Sequence, residues 1–172
     1  MGRFATSSLT ILGALIMQMV FGPPFTILGV TPNFLLVAVI IIAFVRGSKE
    51  GTIAGFVAGL LFDLIGTAVV GPMALTLTIA GFVAGFLKEQ IFASSWILPV
   101  TILGIASLVS EGVYLVIVSA LGFPMSFFTA LGTKALPGAL YAMFIAVLSF
   151  PLLTKFLRKG MNAEVNTLKR VS

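Results

Sequence analysis

Four side chains sit where chemistry is conceivable: Gln18, Asp63, Glu111 and Lys134 lie within, or at the edge of, long apolar runs. Two carboxyls and an ammonium in such surroundings can form an ion pair that fixes helix packing, a partner-docking or small-ligand site, or an acid–base pair. The chain has no Cys and no His. That excludes disulfides, thiolate or imidazole metal ligands, Cys nucleophiles and His-based triads. The carboxyls alone make a poor catalytic set, so the sequence points to a non-enzyme without cofactor or metal. A charge at the centre of a membrane helix costs at least about 2.5–3.5 kcal/mol. Pairing Lys134 with Asp63 or Glu111 would lower that cost.

A second pattern leads into Asp63. Gly51, Gly55 and Gly59 precede it at four-residue intervals, a slowly turning stripe on one helix face. Small residues so spaced let two backbones approach closely. Gly81 and Gly85, with Ala80 and Ala84, form a similar stripe further on. The two helices carrying these stripes are expected to pack tightly, against each other or against a partner subunit. Glu111 shares a face with Gly104, Ser107 and Tyr114.

The elements that must position these residues follow from composition. Of 172 residues, 59% are hydrophobic and 9% charged, against roughly 25% charged in a soluble domain. The apolar residues come in uninterrupted runs of membrane-spanning length rather than periodic stripes. Short alternating segments, the mark of a membrane barrel, are absent from the sequence. The expected fold is therefore all-α, a polytopic integral membrane protein of about six helices. These are placed at residues 4–21, 25–45, 52–69, 72–87, 96–121 and 135–156, with Pro32 marking either a kink or the true start of the second. Residues 1–159 form the transmembrane domain and 160–172 a polar, basic cytoplasmic tail. The first helix lacks an A-x-A-like cleavage site and reads as a span rather than a signal peptide. The segment 122–133, with Phe123, Phe127 and Phe128, reads as an interfacial piece.

Loop charges set the orientation. With the N-terminus inside, Arg3, Arg46, Lys49, Lys88, Lys155, Arg158, Lys159, Lys169 and Arg170 fall on the cytoplasmic side and Lys134 outside. Such asymmetry is the positive-inside signal, and it puts both termini in the cytoplasm. The net charge of +5 thus reflects topology and contact with lipid headgroups rather than nucleic-acid binding. In this layout Gln18, Asp63, Glu111 and Lys134 lie at a similar depth in the outer half of the bilayer.

The octamer TIAGFVAG occurs twice, at Thr52–Gly59 and Thr78–Gly85, and the similarity continues to Ile65 and Ile91, aligning Asp63 with Glu89. Either small residues have converged locally, or the two helices are an inverted structural repeat of the kind found in transporters.

From the second helix onward the order of motifs resembles the rod shape-determining protein MreD family. Thr31-Pro32-Asn33-Phe34-Leu35-Leu36-Val37 is similar to that family's Pro-Asp-Leu-Leu-Leu helix start, with Asn33 in place of Asp. Arg46-Gly47 resembles its Arg-Gly turn. Gly51, Gly55 and Gly59-Leu60-Leu61-Phe62-Asp63 resemble its Gly-rich helix ending in Leu-Leu-x-Asp. Gly71 to Gly81 is similar to its next helix, with Met73 where family members carry His. The match runs over residues 32–88, the rest agreeing in general character.

The resemblance implies a non-enzymatic scaffold of the cell-elongation machinery, multi-pass in the bacterial cytoplasmic (inner) membrane. Its implied partners are an MreC-like protein, the MreB filament and the peptidoglycan glycosyltransferase–transpeptidase pair. It also implies a fold like that of the substrate-binding subunits of energy-coupling-factor transporters. The alternative function is therefore a substrate-capture subunit of such a vitamin transporter, its outward pocket lined by Asp63, Glu111 or Lys134 and covered by residues 22–31. Another small transporter or channel is a third reading.

Overall fold

A computed structural model describes residues 3–26, 31–66, 70–90, 97–120, 132 and 136–171. Six helices account for nearly all of them: α1 (Arg3–Phe21), α2 (Phe34–Arg46), α3 (Ser48–Gly66), α4 (Pro72–Gln90), α5 (Ile97–Ala120) and α6 (Leu136–Val171). The described residues form an all-helical architecture. Among them, three helices contain stretches long and apolar enough to cross a bilayer, Phe4–Phe21, Pro72–Gln90 and Pro137–Lys159. The apolar helix α2 and the segment Val100–Val113 of α5 are shorter, and α3 carries Lys49, Glu50 and Asp63 along its 19 residues.

The centre of the bundle is α2. It touches α1, α3, α4, α5 and α6, and every residue from Leu35 to Ala43 is buried. A helix that is apolar all round has no face for water and belongs inside. The apolar run Phe34–Val45 meets that condition. The sequence left open whether Pro32 kinks this helix or precedes it. The structure starts the helix after Pro32, because Asn33 Oδ1 accepts from Leu36 N at 2.9 Å and so caps the first turn. At 13 residues it is roughly 20 Å long, shorter than the stretch expected from hydropathy.

Residue sizes are sorted as lipid requires. Ala54, Ala58, Ala80, Ala84, Ala106, Ala142 and Ala146 are buried, whereas Phe56, Phe82, Phe86, Phe144 and Leu148 face outward. Small residues bring helix backbones together, and large apolar ones meet hydrocarbon at no cost. Hydroxyls fold back onto their own helices: Thr10 donates to Thr6 O, Thr52 to Ser48 O, Thr76 to Pro72 O and Thr78 to Ala74 O. None of these four needs water to be satisfied. At its far end α6 continues past Lys159 to Val171 and contains Pro151. The residues read as a tail are thus helical in backbone.

Candidate functional site

The most extensive contact between any two helices is that of α3 with α4, and glycines make it possible. A Cβ added at Gly55 would lie within 3.0 Å of the Leu77 carbonyl, and one at Gly81 within 3.0 Å of the Gly51 carbonyl. At Gly59 it would meet the Ala74 backbone, and at Gly85 the Ser48 backbone. Gly51 also lies against Ala43 of α2, where an added Cβ would come to 2.5 Å of the Ala43 side chain. The small-residue stripes of α3 and α4 therefore cover one another, backbone against backbone, with α2 laid over the seam.

At one end of this seam lies Asp63, 2% exposed. Its Oδ2 accepts from the backbone N–H groups of Gly71 (2.9 Å), Met73 (3.1 Å) and Ala74 (3.0 Å). These are donors that the start of α4 cannot satisfy within the helix. Pro72 at the first helical position has no N–H to satisfy, and Gly71, at φ 123°, makes the turn into it. Burying a carboxyl is costly. Three bonds to it, each worth about 1.5–3 kcal/mol when charge-assisted, offset that cost, and the positive end of the α4 dipole adds to them.

The other end of the seam repeats the arrangement. Glu89, at the end of α4, accepts through Oε1 from Ser48 N at 2.7 Å and Ser48 Oγ at 3.0 Å, at the start of α3. Gly47, at φ 96°, makes the turn there, and an added Cβ would come to 2.6 Å of Glu89 Oε1. The two octamers are thus related by an approximate two-fold axis. It exchanges Gly55 with Gly81, Gly59 with Gly85, the Thr52 bond to Ser48 with the Thr78 bond to Ala74, and the Asp63 cap with the Glu89 cap.

Gln18 does for α2 what Asp63 does for α4. It is 9% exposed on α1, and its Oε1 accepts from Phe34 N at 2.8 Å. Near the opposite end of α1 the Arg46 side chain is fully enclosed. Its guanidinium donates to Ser7 Oγ at 2.7 Å, to Thr6 Oγ1, and to Glu50 at 3.3 Å. Helix α2 is thereby tied to α1 at both ends.

Of the residues singled out from sequence, Gly51, Gly55, Gly59, Asp63, Gly81 and Gly85 meet in the α3–α4 contact. Gln18 and Asp63 bind the starts of different helices. Glu111 is half-buried on α5. Lys134 lies outside the described residues, as do residues 27–30 of the proposed lid and, Gly132 apart, the segment 122–133. Sequence reasoning did not find the Glu89 cap or the Arg46 cluster. Their signals were present: the alignment of Asp63 with Glu89, and the i, i+4 spacing of Arg46 and Glu50. Among the described residues no group of three or more acidic side chains gathers as a metal site would.

The family model for the rod shape-determining protein MreD matches residues 1–160. No curated protein and no solved structure matches the chain.

Proposed function

The chain belongs to the MreD family, and from that premise we propose that it is a non-enzymatic scaffold that organises peptidoglycan synthesis during cell elongation. In this reading it sits multi-pass in the bacterial cytoplasmic membrane with both termini inside. It binds an MreC-like protein, and its further partners are the MreB filament and the glycosyltransferase–transpeptidase pair. Kinship in fold with the substrate-binding subunits of energy-coupling-factor transporters belongs to the same proposal.

One observation carries the reading beyond family membership. Three enclosed polar side chains are engaged in holding neighbouring helices: Asp63 holds α4, Gln18 holds α2, and Arg46 holds α1. Side chains so used favour a rigid platform over a reaction centre. The outward surface is apolar and ridged with Phe56, Phe82 and Phe86, which suits immersion in hydrocarbon.

The test is purification of the tagged chain from native membranes in mild detergent, with co-purifying proteins identified by mass spectrometry. Recovery of an MreC-like protein and peptidoglycan synthases is expected. Recovery instead of paired ATPases with a membrane coupling subunit would overturn the scaffold reading in favour of substrate capture.

A further inference from the structure

Helices α1, α2 and α6 enclose an open-sided groove of about 440 Å³. Its walls include Gly13 and Met17 of α1, Val37 and Ala38 of α2, and Leu152 and Phe156 of α6. Two hydroxyls also line it, Thr10 and Ser149, but each donates to a carbonyl of its own helix, Thr6 O and Ile145 O. The interior therefore presents a hydrocarbon surface. At Gly13 nothing lies within 4 Å of where a Cβ would stand. This is empty space, unlike the glycines of α3 and α4.

Three contacts orient the groove. Gln18 meets Phe34, Arg46 meets Ser7, and Tyr141 Oη donates to Phe25 O at 3.0 Å. Both α2 and α6 thus run antiparallel to α1, and the Leu9 end of the groove is also its Phe156 end. At that end α6 carries Lys155, one residue before Phe156, and Arg158 and Lys159 just past it, all exposed. Lys155 follows Leu152, and Lys159 follows Phe156, at a spacing of three, so both continue the groove-lining face. At the other mouth, formed by Met17 and Phe34, no Lys or Arg is found among the described residues.

We propose that this groove holds one acyl chain of an anionic glycerophospholipid, whose phosphate sits against Lys155, Arg158 and Lys159. Length decides between a lipid and a partner helix. The α6 wall, from Ile145 to Phe156, spans roughly 17 Å at about 1.5 Å per residue. One leaflet of hydrocarbon is about 15 Å deep, half of the roughly 30 Å core that a spanning helix must cross. A dry cleft one leaflet deep, cationic at one mouth, fits a lipid tail and its headgroup. Basic residues near the headgroup favour an anionic lipid over a zwitterionic one.

The test uses the full chain reconstituted in vesicles of equal phosphatidylglycerol and phosphatidylcholine, then extracted in mild detergent. Native mass spectrometry counts the lipids retained. The wild type is expected to keep a phosphatidylglycerol with at least about tenfold preference. Gly13→Leu, which fills the groove where space is open, should abolish retention without lowering the thermal midpoint. Should it unfold, Leu152→Trp on the exposed opposite wall repeats the test. K155Q/R158Q/K159Q should keep a lipid but lose the preference. Equal retention of both lipids by the wild type, or undiminished retention in a folded groove-filled variant, would overturn the proposal. So would a photo-crosslinker at position 13 that captures a protein helix in native membranes.

Discussion

Asp63 and Glu89, the counterparts at the ends of the two TIAGFVAG copies, each cap the helix packed against their own. The carboxyl of Asp63 on α3 binds the first turn of α4, and that of Glu89 on α4 binds the start of α3. The two caps differ in setting. Asp63 is 2% exposed, whereas Glu89 is at the surface, where water can replace it.

The consequence at Asp63 is a graded series. Asp63→Leu leaves the N–H groups of Gly71, Met73 and Ala74 without their acceptor, at about 1–3 kcal/mol each. A loss on the order of 3 kcal/mol or more is expected in a detergent-denaturation titration. Asp63→Asn retains a carbonyl acceptor and should lose less than half as much. Glu89→Leu should lose less than Asp63→Leu. Equal tolerance of leucine and asparagine at position 63 would be incompatible with the cap.

The two-fold relation makes a sharper demand on the glycines. Gly55→Ala and Gly81→Ala should destabilise by similar amounts, and Gly59→Ala should match Gly85→Ala, about 1–3 kcal/mol in each case from overpacking. Gly13→Ala, with open space around it, should be neutral or stabilising by up to about 1 kcal/mol, from helix propensity. Unequal losses within a pair, measured by the same titration, would refute the symmetry.

At Arg46 the expectation rests on enclosure. Arg46→Met removes the donor to Ser7, Thr6 and Glu50, and should cost about 1–3 kcal/mol from the acceptors left without it. Arg46→Lys keeps the charge but cannot reach several acceptors at once, so an intermediate loss is expected. A wild-type midpoint for Arg46→Met would mean that α1 is held by other contacts.

Orientation can be read directly because the chain has no cysteine. Single cysteines at the exposed positions Lys49 and Lys159 should resist a membrane-impermeant thiol reagent in intact cells, and one at Thr26 should react. The reverse pattern would invert the proposed topology.

Much of this architecture was legible beforehand. The ends of α1 and α5 fall within a residue of those read from hydropathy, because an apolar run bounded by Gly-Pro or polar residues leaves few alternatives. Gly51, Gly55 and Gly59 announced a close helix contact, although spacing alone does not name the partner. It took the register of α3 on α4 to show that the second stripe fills the first. The start of α2 depended on a local bond from Leu36 to Asn33, to which hydropathy is blind. The Glu89 cap was less visible, since an acidic residue at a helix end reads as an ordinary solvated charge until the facing helix is placed. Helix α6 outran its expected end because backbone hydrogen bonding continues where apolarity stops.

The reciprocal caps also bear on how the protein reaches the membrane. Alone in lipid, α4 would expose the N–H groups that Asp63 satisfies, and in hydrocarbon each such donor costs several kcal/mol. The start of α3 lies at the surface, where water can stand in for Glu89, so the dependence runs from α4 to α3. Helix α3 completes α4, and passage of α4 from the translocon into the bilayer is easiest for the two together, as a finished hairpin. Deleting or replacing α3 would therefore impair insertion of α4, even if the sequence of α4 were untouched.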